Sequence, residues 1–137
     1  MKPVPQILKD SKTIAIVGLS NKPERASLGV AQYLQQHGFR IIPVNPSYAG
    51  QDILGEKVYA TLPEAAAGLG ATQIDIVDCF RNPADMLPIA RVAVAIRAAC
   101  LWMQLGVVNE QAADLASAAG LDVVMDHCLK IEHAALR

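Results

Sequence analysis

The feature that most restricts the fold of this chain is a regular alternation. Short β-rich apolar runs take turns with runs of helical periodicity, and the connections are short. Thr13–Val17 is the first apolar run. Residues 27–37 follow with a helix pattern: Val30 and Leu34 are four apart and share an inner face, Ser27 is placed to cap the start, and Gly38 suits the end. Arg40–Val44 is the second run, stopped by Asn45-Pro46. A short third strand is expected at 57–60, then a short helix from 63, with proline in its first turn. Residues 74–80 form a fourth, strongly apolar run, broken by Asn82-Pro83. The helix after it is expected to start near Pro88, because a proline deeper inside would cost a hydrogen bond. Residues 100–104 are the fifth run. Asn109 can cap a helix over 110–119, which Gly120 ends, and residues 121–125 are the sixth run. Residues 1–12 read as an N-terminal segment with a helical turn at 6–10, and the tail as short and polar.

Alternating strand and helix with short links predicts a parallel sheet covered on both faces. Right-handed crossovers then leave few topologies. The expectation is an α/β, Rossmann-type doubly wound sheet of order 3-2-1-4-5 with the sixth strand at the edge. It would form one domain over 1–137 with its core in 12–128. Composition agrees: 53% of residues are hydrophobic but only 4% aromatic, the balance of a buried parallel sheet rich in Ala, Val, Ile and Leu. In such sheets ligands bind at the carboxyl ends of the strands, where the strand order reverses. Four loops must therefore be read together: 18–27, 45–50, 80–85 and 104–108.

The first loop, GLSNKPERAS, has one glycine where a dinucleotide fingerprint has three. Gly18 suits a close backbone approach. Ser20 and Ser27 offer hydroxyls, the following helix offers its N-terminal dipole, and Lys22 and Arg25 add charge. This is a set for phosphate. The second loop has Asn45-Pro46 where NAD-binding folds place an acid for the ribose hydroxyls. A missing acid counts against NAD and tolerates a ribose phosphate, as in NADP or coenzyme A. Pro46 could pack on an adenine ring. Phe80-Arg81 in the third loop face the first loop across the switch point and suit adenine and phosphate. In the fourth, Gln104 and Gly106 end the fifth strand, and a glutamine can bond the amides of a pantetheine arm.

Other classes are excluded or weakened. The net charge of −1 and pI near 6.3 leave no footprint for nucleic acid or an anionic membrane. No apolar stretch approaches the ~20 residues of a membrane span. The first residues, Met1-Lys2-Pro3-Val4-Pro5, lack the apolar core of a secretory signal, so a cytoplasmic protein is expected. The three cysteines and three histidines share no metal-ligand spacing. Cys79 and Cys100 lie in apolar runs and are expected to be small buried hydrophobes. His127 and Cys128 are neighbours near the ligand edge, but adjacent residues of an extended chain face opposite ways, so a direct pair is not expected. His133 could approach Cys128 through a turn. Asp75 and Asp78, three apart in one strand, are on opposite faces and are no acid–base pair.

Taken together, IAIVGLSNKPERAS, IIPVNP, DIVDCFRNP and LWMQLGVVNEQAADLASAAGLDVVMDHC resemble the small bacterial CoA-binding proteins over about residues 12–128. These are stand-alone Rossmann domains similar to the N-terminal domain of the succinyl-CoA synthetase α subunit. The resemblance implies that Gly18, Ser20, Lys22, Pro23, Arg25 and Ser27 hold phosphates. It implies that Val44, Asn45 and Pro46 border the adenosine, with Phe80 and Arg81 closing over it, and that Gln104 and Gly106 lie by the pantetheine arm. It implies no catalytic residue: the synthetases need a phosphorylated histidine on a second domain and a partner subunit, and no histidine here matches that motif. The expected function is binding of coenzyme A or an acyl-CoA without chemistry of its own. The alternatives are an NADP-dependent reductase and a CoA-binding component of an acyl-CoA ligase or transferase. The apolar sheet edge and alanine-rich helices leave room for a homodimer or another protein partner.

Overall fold

A computed structural model describes Met1–Arg137 throughout. Its centre is a five-stranded sheet built from β1 (Thr13–Val17), β2 (Arg40–Val44), β5 (Ile76–Cys79), β6 (Cys100–Met103) and β7 (Asp122–Val124). The strand order is β2-β1-β5-β6-β7, and every pairing is parallel. Helices cover both faces. α1 (Val4–Asp10), α2 (Ala26–Gln36) and α6 (Leu129–Ala134) lie over one face; α3 (Leu62–Leu69), α4 (Met86–Ala95) and α5 (Glu110–Ala118) lie over the other. The alternating residues of each strand divide the core accordingly. Ile14, Ile16 and Trp102 pack with Leu28, Leu34 and Leu129. Ala15, Val77 and Leu101 pack with Ala65, Ala90 and Ala112. Alanine on the helix side lets α4 and α5 sit close to the sheet.

The doubly wound order is the expected one, with the third strand much reduced. Residues 50–60 make a small antiparallel hairpin of β3 (Asp52–Ile53) and β4 (Glu56–Lys57) instead. The hairpin pairs Lys57 with Asp52, and only Tyr59 extends the main sheet, by a single bridge to Val44 of β2. Tyr59 accepts from the Asn45 amide at 2.9 Å and donates to the Pro43 carbonyl at 3.0 Å. The chain then leaves at once, because Thr61 caps α3 through the Glu64 amide.

Three helix expectations need correction. Ser27 does not cap α2; the cap position is Arg25, without a side-chain bond. The Ser27 hydroxyl is buried and turned back into the preceding loop. α4 begins at Met86, two residues before Pro88. The amides of a first helical turn have no intrahelical partner, so a proline there loses nothing. The polar tail contains α6, a helix of 6 residues with only Leu129 buried, too short for periodicity to reveal. His133 of α6 bonds the Tyr33 hydroxyl through Nδ1 at 2.8 Å and packs against His37 and Phe39. Desolvation, then the nearby His37 and Arg137, hold the His133 imidazole below its ordinary pKa. Asn109 caps α5 as expected, accepting from the Ala112 amide at 3.0 Å.

One core residue conflicts with its surroundings. Asp78 lies between Ile16 and Trp102 in the central strands, fully buried, and neither carboxylate oxygen has a hydrogen-bond partner. Burial pushes its pKa well above the usual carboxylate range. The folded chain therefore keeps this proton over a pH window, from about 4 upward, in which the unfolded chain has released it. Stability attributable to Asp78 falls as pH rises through that window. Asp78→Val is expected to raise the unfolding free energy at pH 7.5 by about 1–3 kcal/mol and to flatten the loss between pH 4 and 8, measured by urea unfolding. A destabilised variant with an unchanged pH profile would contradict this account.

Candidate ligand-binding site

The loops after the strands meet where the sheet changes direction, between β1 and β5. The meeting depends on Gly18. It has φ +90° and donates to the Val44 carbonyl at 2.8 Å. The next strand is so close that a Cβ at this position would overlap the Phe80 carbonyl oxygen. Phe80 in turn donates to the Val17 carbonyl at 2.9 Å.

The 18–27 loop is held by its own hydroxyls. Ser27 Oγ accepts from the Ser20 amide at 3.0 Å, and Ser20 Oγ from the Lys22 amide at 3.1 Å. Both serines are buried, whereas Lys22, Pro23 and Arg25 are exposed. No side chain caps α2, so its N-terminal amides and dipole remain available to an anion. Asn45 joins the first loop to the second: Nδ2 donates to the Leu19 carbonyl at 3.1 Å and Oδ1 accepts from the Ser47 amide at 2.9 Å. Arg81 is exposed and paired with Asp85 at 3.2 Å. Gln104 is buried, and its Oε1 accepts from the Leu129 amide at 3.1 Å.

Two cavities open on this edge, one on each side of the sheet. The first, about 570 Å³, lies towards α2 and takes Gly18, Ser20, Lys22, Arg25, Ser27, Asn45, Phe80, Arg81 and Gln104 from the predicted set. Three cations line it and no carboxylate does, in a chain of net charge −1. The second, about 560 Å³, lies towards α3 and α4 and takes Val44 and Pro46. Its other walls include Leu62, Pro63, Pro88 and Ile89, and its character is apolar. Gly18 and Arg81 line both, so the cavities meet there. Pro23 and Gly106 line neither. Gly106 instead donates its amide to Asp126 Oδ1 at 2.7 Å, which fixes the fourth loop.

The residues that sequence reasoning left out of the first cavity include Ser47, Tyr48 and Cys128. Nothing in the local pattern marks Ser47 or Tyr48; Cys128 lies at the strand edge where ligands gather. No imidazole bonds the Cys128 thiol. His133 turns to Tyr33 rather than approaching it, and exposed His127 faces Glu132 at 4.0 Å. Cys79 and Cys100 are buried as expected, and desolvation pushes both thiols up. No group of His, Cys, Asp and Glu has metal-site geometry, and no helix is long and apolar enough to cross a membrane.

The profile of the CoA binding domain matches residues 12–134. The chain belongs to this CoA-binding domain family. It is 38% identical over 131 residues to the uncharacterized protein YneT of Bacillus subtilis, covering 96% of this chain and 92% of that protein. It is also similar to the solved structure of cell-free ID.343 from Thermus thermophilus, at 32% identity and TM-score 0.88, covering 98% and 96% of the two chains. A hypothetical protein from Pyrococcus horikoshii OT3 shows 34% identity and TM-score 0.88, with 97% and 89% covered. A Rex-family repressor, at 15% identity and TM-score 0.61, shares the fold alone.

For this CoA-binding domain, two glycine variants separate contact from backbone strain. Gly18→Ala meets both and is expected to cost roughly 2–5 kcal/mol of stability. Gly106 has φ +80° with open space around it, so Gly106→Ala is expected to cost only about 1–2 kcal/mol. Urea unfolding of the two variants side by side checks the difference; equal losses would show that the Gly18–Phe80 approach is not what requires glycine.

Proposed function

We propose that the protein binds coenzyme A, or an acyl-CoA, across the two joined cavities, with residues 1–137 acting as one ligand-binding unit. The observation that carries this reading is their complementarity. An apolar cavity floored by Pro46 and walled by Leu62, Pro63 and Ile89 suits adenine. A cavity lined by Lys22, Arg25 and Arg81 with no acid suits phosphates. Their junction at Gly18 passes close to the free N-terminus of α2, where a diphosphate gains from amides and dipole together. Family membership supports the same ligand.

In this reading Ser20, Ser27 and Asn45 shape the phosphate loop, and Lys22 and Arg25 supply its charge. Val44 and Pro46 border the adenosine, with Phe80 and Arg81 over the junction. Gln104 faces the arm: its Oε1 is taken by Leu129, and its Nε2 has no protein partner and is left to donate to an amide carbonyl. Pro23 acts by shaping the loop, and Gly106 by allowing the turn that Asp126 fixes. The neutral Asn45 fits a phosphorylated ribose, since a carboxylate there would repel it.

Calorimetric titration with coenzyme A, 3′-dephospho-CoA, NADPH and ATP tests the proposal. Coenzyme A is expected to bind most tightly. Arg25→Ala is expected to weaken it roughly 10–100-fold, the effect of losing a charge-assisted bond. Binding of NADPH without coenzyme A would overturn the proposal in favour of an NADP-dependent protein.

A further inference from the structure

The chain has three free cysteines in very different places. Cys79 and Cys100 are sealed inside β5 and β6, with thiols that burial holds in the protonated form. Cys128 is partly exposed and forms part of the wall of the first cavity, the one that carries the cations.

Its position is fixed by three successive contacts with the end of β6. The His127 amide donates to the Met103 carbonyl at 3.3 Å, Trp102 Nε1 donates to the His127 carbonyl at 2.8 Å, and the Leu129 amide donates to Gln104 Oε1 at 3.1 Å. Residues 127–129 are thus held across the carboxyl end of β6 on both sides of the thiol. A second, independent feature points to a ligand at this place. Gln104 is 4% exposed, lines the same cavity, and has an amide nitrogen without a protein partner. The rest of this side chain is held within the protein, so its free amide nitrogen is left to an acceptor from outside the chain.

We infer that Cys128 is a thiol–disulfide exchange site for the thiol end of coenzyme A. The inference rests on the proposed binding of coenzyme A in these cavities. β6 is two strands from β1, a distance of about 10 Å at the usual strand spacing. A pantetheine arm has about a dozen bonds between diphosphate and sulfur, and reaches about 14 Å at ~1.2 Å of advance per bond. With the diphosphate at the β1–α2 loop and the arm passing Gln104, the sulfur reaches residue 128.

The reaction needs no separate oxidant when the partner is coenzyme A disulfide. The Cys128 thiol loses its proton to solvent, and the thiolate attacks one sulfur of the disulfide. A bond forms between Cys128 Sγ and that sulfur while the original S–S bond breaks. The other coenzyme A leaves as a thiolate and takes up a proton. One disulfide is consumed and one is formed. A second thiol reverses the step in the same way. The leaving half exits past Leu105, an exposed residue at the cavity rim.

The test is reaction of the reduced, desalted protein with coenzyme A disulfide, oxidised glutathione or hydroxyethyl disulfide, followed by intact-mass and peptide mass spectrometry. The expected product is one coenzyme A moiety per chain, on Cys128 and on neither Cys79 nor Cys100. Its rate should exceed that with oxidised glutathione by at least about tenfold, because binding raises the local concentration of the reacting sulfur. Cys128→Ser should give no adduct. Arg25→Ala should lower the coenzyme A disulfide rate relative to the hydroxyethyl disulfide rate by about tenfold. If calorimetry shows coenzyme A binding but Cys128 reacts no faster with its disulfide than with glutathione, the inference falls and the binding proposal stands. If coenzyme A does not bind at all, the binding proposal falls, and the inference with it.

Discussion

The organisation of the site depends on the approach of Gly18 to Phe80. β1 and β5 are neighbours in the sheet, but the chain crosses over one face to leave β1 and returns over the other to enter β5. A crevice opens where these routes diverge. Its depth is set by how near the two strand ends come, and only a residue without a side chain permits the observed contact. The same contact makes one site of two cavities. With any Cβ between them, the cationic side towards α2 and the apolar side towards α4 would be divided by a wall. The single glycine of this loop is thus placed for strand-to-strand closeness, whereas a three-glycine loop brings the backbone onto the ligand itself.

That difference explains how the rest of the loop is used. Its hydroxyls and the Asn45 amide are largely committed to holding backbone amides and carbonyls within the protein. They confer shape, and shape is retained without a ligand. Charge is left to Lys22, Arg25 and Arg81, which are exposed and can adapt. An exposed cation contributes little to stability, so these side chains are free to serve a ligand at small structural cost. Arg81 is an intermediate case, since Asp85 already screens it at 3.2 Å and an incoming phosphate would have to compete for it.

How much of this was legible in the sequence follows from what each signal measures. Buried parallel strands are nearly continuous apolar runs, so all five strands of the main sheet were visible, and topology rules then brought four distant loops together before any contact was known. The hairpin at 52–57 was hidden because its pairs are so short and because Tyr59, one residue, stands in for a strand. α6 was hidden because a helix held by one buried leucine has no pattern to read. Ser27 was misassigned for a different reason: a serine before a helix can bond either forward to the helix or back into the loop, and only the fold decides. Pro23 and Gly106 lie in the loops that were read together but outside both cavities, since loop membership fixes location to within a turn and not the direction of a residue.

The three cysteines show the same limit and why it matters. Sequence placed Cys79 and Cys100 in strands and so predicted their burial. Cys128 differs only in lying just beyond a strand, a position that decides nothing about its exposure. What gives it a defined place is a set of long-range bonds from β6: a tryptophan indole, a backbone carbonyl and a glutamine amide. None of these could be inferred from residues 125–130 alone. They hold the thiol against the cationic cavity, while the β-sheet isolates the other two thiols from solvent. In a chain whose loops otherwise keep their polar groups satisfied, the partly exposed Cys128 thiol and the unpartnered Gln104 amide nitrogen belong to one cavity wall, and both are left open to whatever enters it.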